Sequence, residues 1–297
     1  MTVAAFVLSG CSKEDDSTGT PVTEDDIDVV DDTNDDDTND DTNDDDTDDV
    51  GELTGDSETF NLQPVLGPDV SGTVTFKKHE SGATTIEVSL EGTTEGTYPV
   101  HLHKESINES GALAINLNNV DGSTGVSTTV VTSLDDGTPI EYEELIVYDG
   151  YIAVYRTTDF DGHLAKGDIG INQLTGESIA YNLNSVTEDT VEGTVTIHER
   201  VSGALVEIKL DGITSGNSYP AHIHFSSVEE GGGIALTLEP VHGSSGASDT
   251  HVEMLDDETP ITYDELLVYD GHINVHLSAA ELGTIISQGN IGANATE

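Results

Sequence analysis

The sequence predicts an all-β chain: two tandem antiparallel β-sandwich or barrel domains after a disordered acidic linker. Three observations carry that expectation. Short segments alternate apolar and polar residues with a period of two, one long unit occurs twice, and a stretch near the N-terminus has no apolar residue. Period-two alternation marks a strand with one face buried. The composition agrees, since 31 Gly, no Trp and abundant Val, Ile and Thr suit short strands joined by turns.

The strands can be taken in order. Val70 to Phe76 sets Val70, Gly72, Val74 and Phe76 against polar neighbours. Thr84 to Leu90 does the same with Ile86, Val88 and Leu90, and Leu205 to Leu210 does so in part. Glu91-Gly92 and Asp211-Gly212 are turn signals between them. Tyr142-Glu143-Glu144-Leu145 has room for one helical turn at most.

The unit repeats with a spacing of 121 residues, set by His101 and His222. Gly72-Thr73-Val74-Thr75-Phe76 matches Gly193-Thr194-Val195-Thr196-Ile197, and Tyr98-Pro99-Val100-His101-Leu102-His103 matches Tyr219-Pro220-Ala221-His222-Ile223-His224. Thr138-Pro139-Ile140 and Val147-Tyr148-Asp149-Gly150 recur as Thr259-Pro260-Ile261 and Val268-Tyr269-Asp270-Gly271. A period this long means duplicated domains, because solenoid repeats run about 20–50 residues. The limits drawn from it are 56-176 for the first domain and 177-297 for the second.

Ahead of the repeat, the short apolar run Val3 to Leu8 leads into Leu8-Ser9-Gly10-Cys11. This resembles a lipobox, so residues 1-11 read as a lipoprotein signal peptide with Cys11 as the lipidated residue. No Lys or Arg precedes Cys11, which places the expected start codon upstream. Ser12-Lys13-Glu14-Asp15-Asp16 is similar to the export signal of some surface lipoproteins of Gram-negative bacteria, so the expected location is the outer membrane, facing outward. Residues 12-55 form the linker, and Asp31 to Asp49 contains only Asp, Thr and Asn. Such a segment cannot bury enough surface to offset ordering, and its charges hold it extended as a stalk. It lacks the Gly and closing Glu of an EF-hand loop, so only weak, non-specific cation binding is expected of it.

The net charge of −51 comes from 59 acidic and 8 basic residues, and 16 of the acids lie between Glu24 and Asp49. A surface this acidic repels nucleic acid and anionic lipid, leaving the lipid anchor as the only expected membrane contact. Divalent cations and an extracellular protein or matrix ligand are the expected partners. Cys11 is the single Cys, so no disulfide forms within the chain. No G-x-S-x-G elbow, P-loop or H-E-x-x-H stands in the sequence.

Histidine is the residue type with a pattern. In a strand, positions i and i+2 share a face, so His222 and His224 lie side by side, and His272 and His276 share a face with Asn274. If those strands are neighbours, His222, His224 and His276 supply nitrogens to a zinc or copper ion, with His242 and His272 as further candidates. The first unit keeps His101 and His103 but has Tyr155 for His276, Tyr151 for His272 and Asp121 for His242. His101, His103 and Tyr155 are therefore degenerate equivalents of the site.

The segments Tyr219 to His224 and Gly271-His272-Ile273-Asn274-Val275-His276, with the closing Gly289-Asn290-Ile291-Gly292, resemble the CHRD (chordin) domain family. Gly167-Asp168-Ile169-Gly170 is the closing segment of the first copy, and both copies lack the family's Arg there. The resemblance implies β-sandwich domains of extracellular and bacterial surface proteins, with binding rather than catalysis as their role. The alternative is a metal-dependent enzyme similar to copper/zinc superoxide dismutase, which also carries H-x-H on one strand. The lone Cys rules out that enzyme's disulfide, and no Lys or Arg follows Lys209 to draw in an anionic substrate.

Overall fold

The computed structural model describes residues 50–65, 70–156, 162–186 and 190–295. Cys11, its lipobox and the Asp31 to Asp49 segment lie outside the described residues. The first repeat contains β1 (Leu53–Pro64), β2 (Ser71–His79), β3 (Thr84–Glu91), β4 (Thr97–Lys104), β5 (Leu113–Asp121), β6 (Val126–Val131), β7 (Gly150–Tyr155) and β8 (His163–Ile169). The second contains β9 (Leu174–Ser185), β10 (Glu192–Arg200), β11 (Ala204–Asp211), β12 (Ser218–Phe225), β13 (Ile234–His242), β14 (Ala247–Val252), β15 (Asp270–His276) and β16 (Ile285–Gly292). Between β6 and β7 stands the single helical turn α1 (Tyr142–Leu145), and α2 (Tyr263–Leu267) takes the same place in the second repeat.

Each repeat closes into an eight-stranded antiparallel barrel, so the sequence's choice between sandwich and barrel resolves to barrels. The order around the first is β1-β2-β3-β6-β5-β4-β7-β8, and the second follows the same order. Closure leaves no strand edge open to another chain. The last seam is short: β1 meets β8 at Gln63 opposite Lys166 and Pro64 opposite Ala165, and β9 meets β16 at Ser185 and Asn184. Glycine is required beside it. A Cβ on Gly167 would stand 2.1 Å from the Asn61 carbonyl oxygen, and one on Gly289 equally close to that of Asn182.

The alternating residues turn inward as their period demands. Ile86, Val88 and Leu90 of β3 and Val206, Ile208 and Leu210 of β11 are buried in their barrels. Phe60 and Phe76 meet edge to face in the first core, with ring centres 5.3 Å apart, where the second core has Tyr181 and Ile197. The barrels begin at Leu53 and Leu174, three residues ahead of the limits 56 and 177 read from the repeat. The first halves of β1 and β9 are largely exposed, Leu53 and Leu174 included, so no alternation marks their start.

The barrels follow one another through a short 3-10 turn, Gly170–Asn172, and one buried cation crosses the junction. Arg200 ends β10, and its guanidinium lies 2.9 Å from Oδ2 of Asp168 in β8 and 3.1 Å from Oδ1 of Asn108. It also contacts Nδ1 of His251 at 2.8 Å. Asp168 accepts a 2.8 Å hydrogen bond from the backbone N–H of Ile107 through its other oxygen. Burial pushes the Asp168 carboxyl up, and Arg200 offsets this only in part. A desolvated pair of this kind adds little net stability over an apolar pair, but losing one partner strands the other. Arg200→Met is expected to destabilise the fold by about 3 kcal/mol in denaturant unfolding, with Asp168→Asn in the same chain restoring part of the loss.

Candidate metal centre

The centre is built by the pairing of β12 with β15. His222 lies opposite Asn274, Ile223 opposite Ile273 and His224 opposite His272. Ala221, Ile223, Ile273 and Val275 point into the barrel core. The five alternate residues His222, His224, His272, Asn274 and His276 therefore face the outside of the sheet, yet all are buried. The register of β15 against β16 shifts between Val275 and His276, and that of β7 against β8 shifts at the matching Val154 and Tyr155. A shift of this kind bends a strand end and re-aims its side chain.

The three sequence-selected histidines converge. His222, His224 and His276 each offer a ring nitrogen, and these nitrogens all lie within 4.8 Å of one another. The His222 and His276 ring centres are 5.0 Å apart. Nitrogens on one tetrahedral ion at about 2.0–2.1 Å would sit about 3.3 Å apart, so small side-chain rotations close the set. Nδ1 of His222, Nε2 of His224 and both nitrogens of His276 are buried without a hydrogen-bond partner of good geometry. Oδ1 of Asn274, on the same face, is equally unpartnered. Each such group left unpaired costs about 1–3 kcal/mol, and together they form a donor set of the kind an ion takes.

The loop after β12 aims the ring of His224. Its Nδ1–H donates to the Gly232 carbonyl at 3.0 Å, which leaves the Nε2 lone pair for a metal. Gly232 is held against Phe225, where a Cβ would come within 2.1 Å of a carbonyl oxygen. His272 has both nitrogens engaged: Nδ1 donates to the Ser226 carbonyl at 2.8 Å, and Nε2 accepts from the Asn274 amide at 3.3 Å. It stacks on His224 at 5.1 Å and so positions a ligand rather than acting as one. Ser226 adopts the left-handed conformation with φ 63°, as does Glu105 at the matching place with φ 62°. For residues other than Gly this costs about 1–2 kcal/mol. In the second barrel it turns a carbonyl toward His272.

At His222, His272 and His276 burial favours the neutral imidazole, the form that binds metal. It pushes His222 below the ordinary value, with His276 and His224 adding to the effect. It also lowers His276 and His272, against smaller opposing contributions from the Leu282 and Ser226 backbone.

The first barrel keeps the scaffold with a different centre. His103 donates from Nδ1 to the Gly111 carbonyl at 3.0 Å, as His224 does to Gly232, and its Nε2 accepts the Tyr155 hydroxyl at 2.9 Å. Tyr151 stacks on His103 where His272 stacks on His224. Ala153 takes the place of Asn274.

His242 requires a correction. The further-candidate role expected of it fails because it is exposed at the end of β13, opposite Ser218 and Ala247. That register places it four residues along β12 from His222. Sequence reasoning missed His163 on β8, whose ring lies 4.7 Å from that of Tyr155, because the second repeat has Ile285 and no histidine at the matching strand position. It also missed the carbonyls of Gly232 and Ser226, which no side-chain pattern announces. Among the described residues, His222, His224 and His276 are the one group of three or more His, Cys, Asp or Glu side chains placed to hold an ion. No protein-family model matches the chain, and no curated protein matches its sequence.

His163 gives the clearest pH prediction. Burial first, then Lys166, His103 and His101, lower it from 6.5 to about 4. Its folded value lies below its unfolded one, so its contribution to stability is complete above pH 6.5 and is lost as pH falls toward 4. Thermal melts at pH 7 and pH 4.5 should show a smaller loss in His163→Gln than in the unaltered protein. The carboxylates common to both chains cancel in that comparison.

Proposed function

We propose that the protein is a lipid-anchored cell-surface binding protein whose second barrel captures a zinc or copper ion through His222, His224 and His276. The observation that carries the metal reading is the convergence of three buried imidazoles across β12 and β15, one nitrogen of each lying within 4.8 Å of the others. Three imidazoles suit zinc or copper and leave a fourth coordination position, on the face that carries the Asn274 amide. The acidic surface concentrates cations near such a site.

Anchoring is supported by the Leu8-Ser9-Gly10-Cys11 motif, and display away from the membrane by the acidic segment behind it. Two acyl chains or more on one residue give stable attachment, at about 0.8 kcal/mol per buried CH₂. The likeness of both repeats to CHRD domains supports a non-enzymatic binding role toward an extracellular protein or matrix ligand. A second reading, redox chemistry of the dismutase type, is favoured by one observation: the H-x-H strand β12 lies directly beside the strand carrying His276. The exposed His242 and the acidic surface weigh against it.

The deciding experiment is titration of the metal-free full chain with zinc and with copper, monitored by calorimetry and metal analysis. The expected result for zinc is one tightly bound ion per chain. His276→Ala should lower its affinity at least a hundredfold, while His242→Ala leaves it unchanged. Weak uptake that is equal in all three proteins would overturn the metal reading. Gly232→Ala should weaken binding by about 10–100-fold without removing a ligand, because it displaces the carbonyl that orients His224. Superoxide consumption by the copper-loaded chain, no faster than by the copper-loaded His276→Ala variant, would dispose of the dismutase reading.

A further inference from the structure

The two barrels differ at their outer histidine faces in a compensated way. Where the second has His276 opposite Ile285, the first has Tyr155 opposite His163. One imidazole has moved to the next strand, and a phenol occupies the position it left. The Tyr155 ring is 4.8 Å from that of His101 and 4.7 Å from that of His163, and its hydroxyl is 2.9 Å from Nε2 of His103. The phenol ring thus packs against the His101 and His163 rings, with its hydroxyl on His103. The flanking residues on the core face stay apolar in both copies, Ile152 and Val154 against Ile273 and Val275.

We propose that His101, His103 and the oxygen of Tyr155, with His163 beside them, form a second metal centre that takes a cupric ion. The donor set is nitrogen and oxygen of the kind that suits tetragonal Cu(II). Adjacent donors on such an ion, each at about 2.0 Å, are separated by about 2.8 Å, close to the distance from His103 to Tyr155. His103 is pre-aimed, because its Nδ1–H is held by the Gly111 carbonyl and its Nε2 lone pair, which accepts the Tyr155 hydroxyl, is released when that proton leaves. Binding forms a Cu–O bond and breaks the phenolic O–H, whose proton passes to water. The ion stays divalent, and nothing is oxidised or reduced. Displacing that proton calls for a strong Lewis acid, and copper stands at the top of the affinity order of the first-row divalent ions. Zinc is the weaker competitor here. Lys166 lies nearby, 5.4 Å over the Tyr151 ring, and the negative phenolate offsets its charge against the incoming ion.

The centre stands apart from the triad of the second barrel, and the test separates them. The metal-free full chain carrying His276→Ala is titrated with copper(II) chloride and followed by visible absorption and electron paramagnetic resonance. The expected result is one bound ion with a phenolate-to-copper charge-transfer band. Tyr155→Phe in the same background should abolish the band and weaken binding at least tenfold, and His163→Gln should weaken binding but keep the band. Resonance Raman spectra of the unaltered chain loaded with two equivalents of copper should show tyrosinate modes, a readout that depends on no variant folding. Copper uptake without those modes, or a band unchanged in Tyr155→Phe, would overturn the proposal whatever the second barrel does.

Discussion

The antiparallel pairing of β12 with β15 is the contact on which the histidine face depends. It sets His222 against Asn274 and His224 against His272, and the strand's continuation brings His276 beside them. A slip of β15 by one residue would turn His272, Asn274 and His276 into the core and expel Ile273 and Val275. The fully buried Ala221, Ile223, Ile273 and Val275 prevent that slip. The register that packs the core is therefore the same register that assembles the site.

The outer face of a barrel is ordinarily wet, and here it is buried and polar. Loops return over it and hold the rings through backbone carbonyls, Gly232 for His224 and Ser226 for His272. Some of this costs stability: a left-handed Ser226 and several nitrogens with no partner. Concentrated local cost of this kind is typical of a functional site. The two barrels share the loop geometry, since Ile107 and Val228 both donate their N–H to the side chain that follows the seam glycine, Asp168 or Asn290. What differs is the chemistry placed beneath the loop.

Arg200 adds a constraint that neither barrel has by itself. Its charge is satisfied only with Asp168 and Asn108 of the first barrel in place. Asp168 in turn grips the loop at Ile107, so the junction and the cover of the first histidine face share one carboxylate.

The amino-acid sequence alone determined the strands, the duplication and the single helical turn, because each rests on local periodicity or direct comparison of segments. It also singled out His222, His224 and His276, since within a strand an even spacing fixes a shared face whichever strands pair. Tertiary structure decided the rest. Whether the strands closed into barrels depended on the seam beside Gly167 and Gly289, a contact between residues about a hundred positions apart. His242 was excluded and His163 admitted by strand register, which no spacing along the chain encodes. Arg200 reads in sequence as one ordinary strand-end cation, and only the folded junction makes it a buried tie between domains. Local periodicity is written along the chain, whereas neighbours in space follow from how the strands pair.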